Sequence, residues 1–182
     1  MLNKNFLVIC LSSTIAAFPP MAVVLLGGII TSQIMDKESL ATLPMTLMII
    51  GIALSAPIAS KLMSLWGRKR AFLFSSILSS IALLLCSLGI YFEDFYIFAF
   101  GNFIIGSSQA FFHQYRFAAS ESVEKKYIPQ SISIILLLGI VSALLSSNFS
   151  EFFKDIFPNN LFLGSYLFLS FTAIIPFFSL LF

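Results

Sequence analysis

The charged residues of this 182-residue chain lie in a few short clusters, and the segments between the clusters are long and apolar. Because a helix rises about 1.5 Å per residue, about 20 apolar residues are needed to cross the hydrocarbon core of a bilayer. Every uncharged segment reaches that length. Strands of a membrane barrel would instead show about 10 residues of alternating polarity, and this pattern is absent. The uncharged segments are residues 5–35, 39–60, 71–92, 95–115, 127–150 and 156–182.

We therefore predict an all-α membrane protein with a single transmembrane domain, residues 1–182, built from six helices. The composition agrees, because only 10% of the residues are charged, against about 25% in soluble domains. The first segment could instead be a signal peptide. However, its 31 uncharged residues exceed the core of about 7–15 residues in such a peptide, and Pro19 and Pro20 would interrupt that core. A retained first helix is the favoured interpretation. The six helices are predicted near residues 6–31, 40–62, 71–92, 95–118, 128–149 and 160–182.

The basic residues predict the orientation of the helices, because the cytoplasmic loops of membrane proteins are enriched in Lys and Arg. Eight of the ten basic residues fall on one side of the predicted helices, and Lys37 and Lys154 fall on the other. We expect the side with eight to be cytoplasmic, so both termini would be cytoplasmic and the chain would lie in the cell (inner) membrane. The eight residues are Lys4, Lys61, Arg68, Lys69, Arg70, Arg116, Lys125 and Lys126.

Residues that carry chemistry are too sparse for a membrane enzyme. Cys10 and Cys86 lie in different apolar segments, so we interpret them as small apolar core residues and not as a disulfide pair. The chain contains a single His, no Cys/His cluster with metal spacing and no G-x-S-x-G motif, and no Asp or Glu lies well inside any predicted helix. We predict no enzymatic activity, no metal site and no cofactor. The net charge of +2 gives no reason to expect a nucleic-acid partner.

Three consecutive cations follow a glycine between the second and third predicted helices. An Arg at mid-bilayer costs about 2.5–3.5 kcal/mol, so these cations hold the loop in the cytoplasm, as they could in any multispanning protein. The surrounding text, SKLMSLWGRK at residues 60–69, also resembles motif A of the major facilitator superfamily (MFS), G-x-L-A-D-R-x-G-R-K. The residues that match the motif are Leu62, Gly67, Arg68 and Lys69. Arg70, the third cation, follows directly and is taken with them as the motif A loop.

Among the departures from motif A, Ser60 replaces the first glycine, Ser64 the aspartate and Leu65 the first arginine. In the family, the aspartate and the arginines form a charge network on the cytoplasmic face that helps to hold the outward-facing state. This chain lacks the acid of that network at position 64. Gly67 keeps a role in the turn, because a residue without Cβ can turn the chain tightly between two helices.

Residues 101–146 resemble a bacterial subgroup of the same superfamily, in which Q-Y-R-F-A-A closes helix four and a serine-bearing helix five follows. The G-P pair that helix five carries in the antiporter branch is missing here. The resemblance implies half of an MFS fold, with six helices arranged as two inverted three-helix repeats. It also implies secondary active transport of a small solute by alternating access, with a small molecule and the lipid bilayer as partners.

The fourth predicted helix carries a polar stripe. Asn102, Gly106, Gln109, His113 and Arg116 are spaced by four, three, four and three residues, which places them within about 80° of one helix face. Such a stripe faces other helices or water and not lipid tails. Two interpretations stay open, namely hydrogen bonding between helices and the lining of a cavity.

The cavity interpretation gives the polar residues separate roles. Asn102 and Gln109 would bind the substrate, whereas His113 and Arg116 would attract an anionic group. Arg116 could instead simply extend its side chain to the interface. His113 is the only His, and the pKa of imidazole lies near neutrality, which makes this residue a candidate for proton coupling.

A complete transporter of this family has two six-helix halves with the substrate site between them, and this chain supplies one half. The last predicted helix reaches Phe182 without a polar or basic flank, which favours the truncated amino-terminal half of a longer transporter. Three alternatives stay open: a natural half that pairs with a second copy or a partner, a non-transporting membrane subunit, and an inactive remnant.

Overall fold

The structure, a computed structural model, describes residues 3–35 and 40–181. These residues are helical, without any strand, and contain six spans that are long and apolar enough to cross a membrane. The predicted all-α class with six spans is confirmed. Lys37, which was counted on the less basic side, and Phe182 lie outside the described residues. The spans are Lys4–Met35, Leu43–Trp66, Arg68–Tyr91, Phe95–Glu121, Lys125–Phe152 and Leu163–Leu181.

Three of the spans are divided into two α-helices, and the fifth begins with a 3-10 helix, Lys125–Tyr127. The breaks in the first and sixth spans come two residues before prolines, which remove a backbone donor and bend a helix. The fourth span is broken by a turn at residues 113–114. In chain order the helices are α1 (Lys4–Ala16), α2 (Phe18–Met35), α3 (Leu43–Trp66), α4 (Arg68–Tyr91), α5 (Phe95–Phe112), α6 (Tyr115–Glu121), α7 (Ile128–Phe152), α8 (Leu163–Thr172) and α9 (Ile175–Leu181).

Most spans extend beyond the uncharged segments. α3 continues through Lys61 to Trp66, and α4 already begins at Arg68. Charged side chains mark where the chain leaves the hydrocarbon, but helical hydrogen bonding can continue into the interface, where these side chains are hydrated. The sixth span, in contrast, begins at Leu163 and not near 160, because residues 157–162 form turns around Pro158.

The start of the third span and the ends of the fourth and sixth spans lie together at one end of the bundle. Arg68 forms an ion pair with Glu121, and Lys69 Nζ donates a hydrogen bond of 3.0 Å to the carbonyl of Leu181. The first span begins at the same end, where Lys4 lines a cavity with Arg68 and Lys69. We call this end of the bundle the basic end.

The opposite end holds the start of the sixth span against the end of the third. Asn160 Nδ2 lies 3.3 Å from the carbonyl oxygen of Ile90. Lys154 forms an ion pair with Glu151, and this hydrogen bond raises the pKa of Lys154 above its usual value. Lys154 therefore stays charged and marks this end as outside the hydrocarbon.

The apolar core lies among the first, third, fourth and sixth spans. It includes the buried side chains of Phe18, Leu83, Phe98 and Tyr166. The second and fifth spans are less buried and present large apolar side chains outward. In a bilayer such side chains contact lipid tails, so they do not carry the cost that they would carry in water.

Many buried serine hydroxyls find a partner within their own helix. Ser76 Oγ donates to the Phe72 carbonyl one turn earlier, a common arrangement for serine in helices. Other serines link spans, since Ser80 Oγ donates to the Ser170 carbonyl at 2.8 Å. The serine-rich third span is therefore held to the sixth by a hydrogen bond as well as by packing.

The fourth span packs directly against the second through two glycines. A Cβ atom added to Gly106 would lie 2.0 Å from the Met48 carbonyl oxygen, and one added to Gly51 would lie 2.2 Å from that of Phe103. The two backbones are therefore in van der Waals contact, as small residues allow in membrane bundles. This contact fixes the rotation of α5 about its axis and hence the direction of its polar side chains.

Candidate functional site

The first span bends where Pro19 and Pro20 follow Ala17. In a helix the N–H of each residue donates to the carbonyl four residues earlier. Pro20 has no N–H, so the carbonyl of Ala16 loses its helical donor. The structure supplies a donor from the fourth span, because Gln109 Nε2 lies 3.0 Å from Ala16 O. Gln109 is almost fully buried, so its amide satisfies a carbonyl that would otherwise cost about 1–3 kcal/mol.

The fifth span supplies two further donors to the same bend. Ser142 Oγ lies 2.7 Å from the carbonyl oxygens of both Thr14 and Leu138, so its single proton is shared between them. Ser146 Oγ donates to the Phe18 carbonyl at 3.1 Å. The bend in the first span is thus held from both sides by the fourth and fifth spans.

A cavity of about 410 Å³ lies beside this bend, between the first, second, fourth and fifth spans. Pro20, Ile52 and Ile140 are among the apolar residues of its wall, and Gln109 and His113 are its polar side chains. The lining contains no Asp, Glu, Lys or Arg. Since burying an unpaired charge is costly, this wall suits a neutral molecule that is mainly apolar and carries a few hydrogen-bonding groups.

The residues of the predicted polar stripe do not all reach this cavity. Gln109 and His113 border it, and Gln109 also makes the bond between spans described above. Asn102 is fully buried away from the cavity lining, and its Nδ2 donates to the Phe98 carbonyl of its own helix at 2.8 Å. Gln109 therefore combines the two arrangements that the sequence left open, a hydrogen bond between helices and a position in a cavity wall.

Arg116 lies outside the lining of this cavity, on α6. Its guanidinium lies 5.0 Å from the ring centroid of Phe117, a cation–π contact. Arg116 departs from the stripe because the helical projection assumes one continuous helix, whereas a turn separates α5 from α6 at residues 113–114.

The loop that resembles motif A forms the turn between α3 and α4. Gly67 is the only residue between these helices and has φ of 79°, a conformation that favours glycine. Leu62 packs against buried Ala59 and Ala71. Arg70 is exposed, so it lies at the surface of the basic end.

The acid that pairs with this loop comes from a distant part of the chain. Ser64, at the aspartate position of motif A, only donates to the carbonyl of Lys61 in its own helix. Glu121, at the end of α6, pairs with Arg68 instead. This pair could not be predicted from the sequence, because the two residues are 53 positions apart and only the packing of the spans brings them together.

Within residues 3–35 and 40–181, no group of three His, Cys, Asp or Glu side chains could hold a metal ion. Cys10 and Cys86 are free thiols. At the cavity, Gln109 and His113 offer hydrogen bonding and Phe112 offers aromatic contact, beside an otherwise apolar wall.

Comparison with known proteins gives one informative similarity. No family model matches this chain, and no solved structure is significantly similar to it. The riboflavin transporter RfnT of Brucella anthropi is 27% identical to the chain over 165 residues. This alignment covers 91% of the chain but only 42% of the transporter. The chain thus spans less than half the length of a curated relative. Nearly all of the chain is similar to one part of a riboflavin transporter.

Proposed function

We propose that the chain is a six-helix half of an MFS-type secondary transporter, lying in the cell (inner) membrane with both termini in the cytoplasm. The observation that carries the proposal is the alignment of 91% of the chain with part of a riboflavin transporter. The resemblance of residues 60–69 to motif A and the six apolar spans support it. In such a transporter the substrate site lies between two halves that alternate between outward and inward access. The cavity at the bend would form one wall of that site.

The substrate that we propose is a neutral heteroaromatic solute of the riboflavin class. The relative is a riboflavin transporter, and the uncharged cavity wall is compatible with a flat, uncharged ring system. The flavin ring carries an imide edge with carbonyl and N–H groups. The amide of Gln109 can pair with such an edge, while Phe112 and the aliphatic side chains contact the ring faces.

A titration of the purified chain with riboflavin tests the substrate class. We expect a saturable change in flavin fluorescence, because the ring would leave water for the cavity, and weaker binding of flavin mononucleotide, which carries the same ring with a charged phosphate on its side chain. Equal binding of both flavins, or no binding of either, would contradict a neutral-flavin site.

Uptake of labelled riboflavin by auxotrophic bacteria that express the chain tests transport itself. Because a complete site needs two halves, uptake above that of cells with empty vector is expected when two copies of the chain assemble. Saturable binding without uptake would instead favour the alternative function, a non-transporting membrane subunit. The alignment with only 42% of the relative is compatible with this alternative.

The proposed topology predicts that the two ends of the bundle lie on opposite sides of the membrane. In a variant with Cys10 and Cys86 replaced by alanine, Lys69→Cys should be protected in intact cells from a membrane-impermeant maleimide. Lys154→Cys should be labelled, because the less basic end faces outward. Labelling of both cysteines from the same side would rule out this topology.

A further inference from the structure

A second cavity, of about 360 Å³, lies at the basic end, among the first, third, fourth and sixth spans. It is separate from the cavity at the bend and has no residue in common with its lining. Lys4, Arg68 and Lys69 line it, together with one acid, Glu121. Three cations and one carboxylate leave two positive charges uncompensated, so the cavity attracts an anion.

The contacts of these side chains leave donors available. Arg68 Nη2 pairs with Glu121, but Arg68 Nη1 is buried and has no partner among the described residues. Lys69 Nζ makes one hydrogen bond, to the Leu181 carbonyl, although an ammonium group has three protons to donate. Glu121 therefore neutralises only part of the positive charge.

The inner wall of the cavity is apolar. Val8, Ile9 and Phe72 lie about one turn inside their helix ends and line it, together with Leu180 near the end of α9. The cavity thus combines charge at its rim with hydrocarbon contacts beneath. A free inorganic ion would gain nothing from these apolar side chains, whereas an amphiphilic anion would use both parts.

We propose that this cavity binds the phosphate headgroup of an anionic phospholipid, with the lipid glycerol and upper acyl chain against the apolar wall. Two of the helices that line it begin here and two end here, so the cavity lies at the membrane interface, where anionic headgroups are found. Basic cavities between transmembrane helices are suited to such headgroups. Bound lipid would hold the start of the first and third spans to the ends of the fourth and sixth.

Native mass spectrometry of the full chain in neutral detergent tests the proposal. The probes are phosphatidylglycerol, phosphatidylcholine of the same acyl chains, and inorganic phosphate. We expect phosphatidylglycerol to bind more tightly than phosphatidylcholine, and inorganic phosphate to bind far more weakly than either lipid. Inorganic phosphate that binds as tightly as phosphatidylglycerol would identify a simple anion site, and equal affinity for the two lipids would exclude charge recognition. Either result overturns the proposal.

Neighbouring cations provide a matched pair of variants. Lys69→Gln should weaken phosphatidylglycerol binding about fivefold, because a cation near an anionic headgroup contributes on the order of a factor of five in affinity. Arg70→Gln removes the same charge from the adjacent residue, which does not line the cavity, and should change the affinity less than twofold. Equal weakening by both variants would indicate general surface attraction and overturn the site.

A third variant tests the apolar wall without altering charge. Val8→Trp should fill the cavity and reduce phosphatidylglycerol binding while every cation remains. Unchanged binding in Val8→Trp would also contradict the site. Riboflavin binding reports on the other cavity, so it should be retained in all three variants, and failure of either proposal can be recognised separately.

Discussion

Replacing Gly106 with alanine is expected to destabilise the protein by about 1–3 kcal/mol, the usual cost of overpacking a close contact. The added methyl would lie 2.0 Å from the carbonyl oxygen of Met48, far inside van der Waals contact. The clash cannot be relieved by rotating a side chain, because the atoms that the methyl meets belong to the backbone of Met48. The second and fourth spans must move apart, which also displaces the cavity wall on α5. Loss of helical signal during titration with sodium dodecyl sulfate measures the effect.

Gly139 provides the matched control for this substitution. It lies within α7, and a Cβ added there meets no atom within 4 Å. Gly139→Ala should therefore leave stability unchanged or raise it by up to about 1 kcal/mol, because alanine is the better helix former. If Gly106→Ala were as stable as Gly139→Ala, the close packing of the second and fourth spans would be wrong.

Gln109→Ala is expected to weaken riboflavin binding by about 10- to 100-fold, a result that rests on the proposed substrate. The substitution removes the amide from the cavity wall and leaves the Ala16 carbonyl without the donor that replaces the missing N–H of Pro20. The lost Ala16 bond lowers stability, whereas the affinity falls because a buried flavin group loses its partner, which corresponds to about 1.4–2.8 kcal/mol. Each 1.4 kcal/mol is a factor of ten in affinity. Flavin fluorescence titration provides the dissociation constant.

Asn102→Ala is the matched control, because it truncates a second buried amide on the same helix. Asn102 donates to Phe98 in its own helix and does not line the cavity. We expect its riboflavin affinity to stay within about threefold of the unmodified chain, since no interaction of the site is lost. Similar weakening in both variants would mean that Gln109 acts only through general stability.

The six spans could be predicted from the sequence because crossing a bilayer sets a minimum length that each uncharged segment meets. The ends of the spans could not be predicted. Charged residues indicate where the chain leaves the hydrocarbon core, whereas a helix ends where a turn, a proline or a glycine interrupts it. The sixth span begins late because of turns around Pro158, and α4 begins directly at Arg68. The breaks in the first and sixth spans follow from their prolines, whereas the turn after Phe112 has no such signal in the sequence.

The candidate site could be predicted only in part. Gln109 was found because its polar side chain lies within an apolar helix, but its partner depends on which span packs against it. Ser142 and Ser146 were missed, although their spacing of four places them on one face of α7 and Pro20 makes a free carbonyl in the first span predictable. The pairing of Arg68 with Glu121 needs the full tertiary arrangement.

The single-residue turn at Gly67 has a mechanical consequence. Consecutive Cα atoms are about 3.8 Å apart, so the last residue of α3 and the first residue of α4, separated only by Gly67, can never be more than two such steps apart. A displacement of the second span at this end must therefore pull the third span with it. Arg68, the first residue of the third span, pairs with Glu121 at the end of the fourth span, and the fourth span also packs against the second. We therefore expect the second, third and fourth spans to move together at this end.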